Sequence, residues 1–304
     1  MLKLFLAFLF CSINANAAIG LGRAVMFSGA AAGSGTTFTA TGGTITDYGA
    51  YRVHTFTSDG TFTTNANKEF NVLYVAAGGP GGGYFGGGGG GGGVIFTTAT
   101  VAAGTYSITI GTAAASRYQG GDTIVGFLPT RAHGGGRSAS DNAVRDCTTG
   151  ATGGGGYGSG GYTTGCPGTV GEGREGGNGT AGGSYGAGGG GGVDGPGDSW
   201  PPAVTSGKGG LGHTYDISGA AVCYGGGGTG AIGWTGVQEY GGCEIAGGGR
   251  GASHSLSDGS VISGYDATVG TANTGCGGGG GGTEADRYSM RAGGTGIVII
   301  RYVR

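Results

Sequence analysis

Residues 71–100 read NVLYVAAGGPGGGYFGGGGGGGGVIFTTAT, and the form taken by this stretch decides the fold. A strand-like run from Val72 to Ala77 passes straight into a glycine block. That block closes with eight consecutive glycines at residues 86–93, and Val94-Ile95-Phe96 resume strand character at once. Polyglycine has no side chains to bury and the largest backbone entropy to lose, so neither a packed α-helix nor an ordinary strand suits it. Two forms remain: a floppy linker, or an ordered left-handed helix of the polyproline-II kind with three residues per turn. Such a helix makes no internal hydrogen bonds, so a buried one must pair its N–H and C=O groups with neighbouring segments.

Composition narrows the choice. The 304-residue chain carries 86 glycines, 11% charged residues and a formal net charge of −2, a balance that suits neither a disordered polyelectrolyte nor phosphate-driven nucleic-acid binding. Glycine is near one third, but there is no G-X-Y register and only six prolines, which excludes collagen. Fifteen tyrosines and eleven phenylalanines exceed what an inert tether needs, with a low-complexity, wall-like protein as the alternative.

Residues 1–17 have the form of a secretory signal. Lys3 supplies the charge, residues 4–10 the short apolar run, and Ala15-Asn16-Ala17 an A-x-A cleavage site. No later stretch is apolar over the roughly 18 residues that a membrane helix needs, so the expected location is extracellular, secreted or on a cell or virion surface. Loss of the signal removes Cys11 and leaves Cys147, Cys166, Cys223, Cys243 and Cys276. In an oxidising compartment these are disulfide candidates; Cys147/Cys166 and Cys223/Cys243 are the natural pairs by spacing, with Cys276 odd. No C-x-x-C or His/Cys cluster points to zinc.

Residues 18–46 are small and polar and read as an N-terminal arm, and residues 47–304 as one glycine-rich β domain. The runs from Tyr51 to Thr57 and Thr61 to Thr64, joined at Ser58-Asp59-Gly60, carry the Asp-Gly signal of a hairpin. Residues 72–77, 94–101, 105–110 and 123–127 continue the β series. The closing run from Ile297 to Tyr302 is apolar enough to be covered on both faces. No amphipathic helix is apparent, so the expected class is all-β with almost no α-helix. Strands fall at about 51–130 and 296–304, and a polyglycine lattice at about 78–93 and 133–296. Within that lattice Asn178, Ala181, Ser184 and Ala187 recur at every third position with near-bare edges between them, as one such helix requires. Ordering a residue costs roughly 1–2 kcal/mol, and a net hydrogen bond returns about 0.5–1.5 kcal/mol. A glycine lattice therefore depends on a β core and on disulfides for its margin.

The runs VHTFTSDGTFT (residues 53–63), NVLYVAAGGPGGG, VIFTTATVAAGTYSITIG (residues 94–111) and GGTGIVIIRY (residues 293–302) resemble the glycine-rich domain of bacteriophage tail-fibre and marine microbial surface proteins. The order strand, glycine block, strand is also similar in plan to the glycine-rich ectodomain of anaplastic lymphoma kinase. The resemblance implies a β-sandwich (jelly-roll or TNF-like) with an inserted bundle of polyglycine helices, whose tip loops contact a receptor in phage adhesins. A secretory signal and five mature cysteines depart from a phage tail part. They favour a cell-surface, extracellular-matrix or eukaryotic-virus setting.

Catalytic motifs find no footing. G-x-G-x-x-G recurs through composition alone, and Ser206-Gly207-Lys208-Gly209 lacks the leading glycine and the Ser/Thr of a P-loop. Asp194-Gly195-Pro196-Gly197-Asp198 is a single copy without the period of calcium-binding repeats. His54, His133, His213 and His254 are isolated in sequence. No catalytic residue, metal ligand or cofactor is nominated, and the chain reads as a non-enzyme. The candidate binding residues are aromatic: Trp200 in the proline-bearing VDGPGDSWPPAVTS, then Trp234, Tyr240, Tyr157, Tyr162, Tyr84 and Phe85. Trp200 also suits a cap at the end of the lattice. Asn178 heads an N-G-T glycosylation acceptor. The expectation is an adhesin or binding module showing aromatic loops to a cell-surface glycan or protein, with no nucleic acid and no membrane insertion. The alternative is a structural protein that assembles with itself into a matrix, coat or filament.

Overall fold

The computed structural model describes residues 37–114, 118–140, 146–160, 163–180, 185–199, 205–232, 248–252, 266–282 and 290–304. Strand pairing begins at β1 (Ala40–Thr41) and β2 (Thr44–Tyr48), followed by β3 (Tyr51–Phe56), β4 (Gly60–Thr64), β5 (Lys68–Val75), β6 (Val94–Val101), β7 (Gly104–Thr109), β8 (Thr123–Val125) and β9 (Arg131–Ala132). After a long interval come β10 (His213–Tyr215), β11 (Val222–Tyr224) and β12 (Ile297–Val303). One five-stranded sheet has the order β1-β4-β7-β8-β9, a second the order β2-β3-β12-β5-β6, and β10-β11 form a separate pair. The described pairings are antiparallel throughout. The class is all-β, with no α-helix among the described residues.

Alternation along β5 and β12 explains the layering. Phe70, Val72 and Tyr74 from β5, and Val298, Ile300 and Tyr302 from β12, enter a core shared with Phe62, Ile108 and Val125 of the first sheet. Leu73, Val75, Ile297 and Ile299 point the other way and pack with Val53, Ile217 and Tyr224 beneath the β10-β11 pair. Both strands are therefore covered on two faces, which is why their apolar runs are nearly unbroken. Phe62 centres the first core, edge-on to Phe70 at 5.2 Å and to His54 at 5.3 Å.

One turn signal is misleading. β3 and β4, flanking Ser58-Asp59-Gly60, lie in different sheets, so this Asp-Gly is not a hairpin but a corner between the two layers. Its carboxylate explains the residue choice: Asp59 Oδ1 accepts from the Ile110 amide at 2.8 Å and ties the corner to the end of β7. The change of layer sets Phe56 and Phe62 in the common core.

The polyglycine block is the insertion between β5 and β6, whose ends pair Val75 with Val94. Residues 76–82 run out and 87–93 run back, joined by hydrogen bonds at a period of three: Ala76 N–H to Gly93 C=O, Gly79 to Gly90 and Gly82 to Gly87. The returning limb meets three further segments in the same rhythm. Gly87, Gly90 and Gly93 donate to Ala139, Gly136 and His133; Gly88 and Gly91 to Gly188 and Gly191; Gly89 and Gly92 to Gly278 and Gly275. Those bonds span 2.7–3.2 Å, and all of residues 86–93 are buried. A tether would leave these groups to water. Here each face of the limb is satisfied by a different neighbour, the arrangement that backbone accounting demands.

The same period misreads residues 178–187 as one helix. Arg174, Gly177 and Thr180 donate to Gly192, Gly189 and Gly186, so the chain reverses between Thr180 and Gly186. Ala181 and Ser184 lie outside the described residues. Glycine keeps its rhythm on both sides of a turn, and the spacing alone therefore hides the reversal.

Cys147 and Cys166 form a disulfide, as their spacing suggested. Cys223 is disulfide-bonded as well, and its expected partner Cys243 lies outside the described residues. Cys276 is a buried thiol whose sulfur contacts the Thr274 carbonyl, and burial pushes its pKa up.

His54 gives this core a pH response. Its Nδ1–H donates to the Gly42 carbonyl at 2.8 Å, while Nε2 is buried with no partner. Burial lowers its pKa below the ordinary 6.5. The unfolded chain thus takes a proton at a pH where the fold refuses it. Stability should fall as pH drops below about 6.5, by at most about 1.4 kcal/mol per unit from this group. Urea midpoints at pH 7.5 and 5.5 should separate more for the native chain than for His54→Phe; equal separations would remove His54 from the response.

Candidate functional site

The far end of the lattice is marked by its turns. Tyr84 and Phe85, at the reversal of the polyglycine insertion, have φ of 41° and 52°, and Tyr185, at the reversal after Thr180, has φ of 50°. Left-handed backbone at bulky residues is strained and persists only where surroundings hold it. What holds it here is ring packing. Tyr84 lies 4.5 Å from Phe85 and Phe85 lies 4.7 Å from Tyr185, while Phe85, Ala139 and Tyr157 form a buried cluster. The Gly158 amide donates to the Phe85 carbonyl, and Thr180 Oγ1 donates to the Gly158 carbonyl at 3.1 Å. Aromatic side chains thus close an end that glycines cannot.

Of the seven aromatic candidates, Tyr84, Phe85 and Tyr157 come together in this cluster, Phe85 and Tyr157 being buried and Tyr84 partly exposed. Tyr162, Trp200, Trp234 and Tyr240 lie outside the described residues. Of the described residues, Gly160 lies two positions beyond Gly158, Ser199 Oγ accepts from the Asn178 amide at 3.0 Å, and Ile232 is bridged to Gly186. Asn178 is exposed, with its Oδ1 accepting from the Gly165 amide at 2.9 Å.

A second feature, which spacing in the sequence did not nominate, lies on the flank nearer the strands. A groove of about 670 Å³ is bounded by Val94, the 167–175 loop, residues 193–194, and His213 and Tyr215 of β10. Thr169 anchors the loop by donating to the Gly150 and Ala151 carbonyls. Two imidazole–carboxylate pairs organise the polar groups. His133 Nδ1 meets Glu172 Oε1, and His213 Nδ1 meets Asp194 Oδ2, both at 2.6 Å. In the neutral ring Nδ1–H donates to the carboxylate and Nε2 remains an acceptor. Tyr215 lies 4.6 Å from His213 and stacks on the half-exposed Phe96 at 5.5 Å. His254 lies outside the described residues. Asp194, in the stretch weighed as a calcium site, is engaged by His213, and no group of three or more metal-ligating side chains occurs among the described residues. The groove offers hydrogen-bond donors, acceptors and an aromatic surface.

No helix among the described residues is long and apolar enough to cross a membrane. No curated protein matches the chain. Residues 55–303 match the family model described as a glycine-rich domain, from β3 to the last residue of β12, and the chain therefore belongs to the glycine-rich domain family.

Proposed function

We propose that this protein is an extracellular, non-enzymatic binding module that presents aromatic residues at the far end of a rigid glycine lattice to a cell-surface glycan or protein. The observation that carries this reading is the pair of partly exposed rings, Tyr84 and Tyr185, seated over the buried Phe85 and Tyr157 on a limb bonded to its neighbours at a period of three. That period supports lattice segments in the three-residue-per-turn, polyproline-II form. The resemblance to phage tail-fibre domains, with receptor contacts at the tips, points the same way. Disulfides at Cys147–Cys166 and Cys223 support an oxidising compartment, in keeping with removal of residues 1–17 as a signal.

Trp200→Ala is expected to weaken attachment of the secreted protein to cells about tenfold or more, with the melting temperature nearly unchanged. Intact attachment with a large fall in melting temperature would make Trp200 a structural cap instead. One observation favours the structural alternative: β2 is exposed along its whole length and, among the described residues, pairs with β3 alone, an edge suited to strand addition. Light scattering after size exclusion separates the two, because a discrete species fits the binding module and concentration-dependent polymers fit the matrix protein.

A further inference from the structure

We infer that the flank groove is a second binding site, for a neutral oligosaccharide, independent of the far end of the lattice. Its volume, about 670 Å³, falls within the roughly 300–1,000 Å³ of small-ligand sites. Its walls alternate between two kinds of surface. Val94, Val170 and Val193 with Tyr215 offer apolar and aromatic area, and Arg174, Glu175 and Asp194 offer charged hydrogen-bonding groups. A ligand suited to both has apolar C–H faces and a periphery of hydroxyls that donate and accept, which describes a pyranose ring.

Two observations select this class. Asp194 and Glu172 are each held by an imidazole at 2.6 Å, so their orientation is set before a ligand arrives. Arg174 and Glu175, adjacent and exposed, form no ion pair among the described residues and leave a donor fork beside an acceptor. Charge disfavours anionic ligands, because three carboxylates (Glu172, Glu175, Asp194) line the groove against one guanidinium (Arg174). A cationic peptide would meet one carboxylate, Glu175, not already engaged by an imidazole, together with the competing Arg174.

The test uses the full secreted protein in calorimetric titrations with three neutral hexasaccharides: cellohexaose, mannohexaose and chitohexaose. Tetralysine and a heparin hexasaccharide serve as charged probes. At least one neutral probe should bind with a Kd below about 1 mM. Arg174→Ala and Glu175→Gln should each weaken it about tenfold, with the melting temperature unchanged because both side chains are exposed. Trp200→Ala should leave it unaltered, so failure here is distinguishable from failure of the reading given above. Absence of binding by all three neutral probes overturns the inference. So does binding indifferent to both groove substitutions, or groove-dependent binding of tetralysine or heparin in their place.

Discussion

Gly89→Val should lower the free energy of unfolding by about 3 kcal/mol or more, the largest single-residue effect expected in this protein. A Cβ built on Gly89 lies 2.7 Å from the carbonyl carbon of Gly79 and 2.8 Å from that of Pro80, distances that no side chain tolerates. The obstacles are backbone atoms, and no rotamer change can move them. Gly79 is itself bonded to Gly90, and Gly89 donates to Gly278 and accepts from Gly228, so yielding at one point breaks pairing in several segments. Glycine replacement at the axis of a collagen triple helix fails for the same reason. Gly60→Ala is the control. A Cβ there meets only the Phe56 ring, at 3.4 Å, and should shift stability by no more than about 0.5 kcal/mol. Urea denaturation of the three proteins decides the matter, and equal midpoints for Gly89→Val and the native chain would contradict a close-packed lattice.

Removing the Cys147–Cys166 bridge should cost about 3 kcal/mol, the loop-closure value for a sequence separation of 19. The bridge is set among hydrogen-bonded segments rather than strands. Thr148 donates to Arg137, Cys166 donates to Gly154, and Gly176 donates to Cys166, so the two cysteines tie several limbs together. Glycine segments bury little apolar area, and restricting the unfolded chain is a main source of stability left to them. Cys147→Ala/Cys166→Ala should therefore unfold at lower urea than the native protein, with loss of protection concentrated in residues 134–192 and the β core affected less. A change below about 0.5 kcal/mol would show that the lattice stands without this cross-link.

The central architecture was legible at the junctions. The step from Val75 through glycine to Val94 announced an insertion between paired strands, and the continuous apolar run at Ile297 to Tyr302 announced a strand covered on both faces. What escaped depends on non-local partners. Ser58-Asp59-Gly60 has the chemistry of a hairpin turn, yet whether strands pair or cross to another layer is set by β7 and β12, far along the chain. The reversal between Thr180 and Gly186 was invisible because period three continues through it. Tyr84 and Phe85 stood out as aromatics at a glycine boundary, but their packing with Tyr185 and Tyr157 joins residues about 100 and 72 positions apart. The groove was harder still. Its His133–Glu172 and His213–Asp194 pairs bridge 39 and 19 positions, and no local spacing marks them.

Amide hydrogen exchange across residues 86–93 tests the ordered lattice most directly. Each amide in that run donates to a carbonyl of another segment outside the insertion, from Gly86 to Gly281 through Gly93 to His133. Opening any of them requires neighbouring limbs to separate, so their exchange should be slow and comparable with that of β5 and β12. Fast exchange throughout residues 86–93, with β5 and β12 still protected, would mean that the polyglycine is a tether and that no lattice exists.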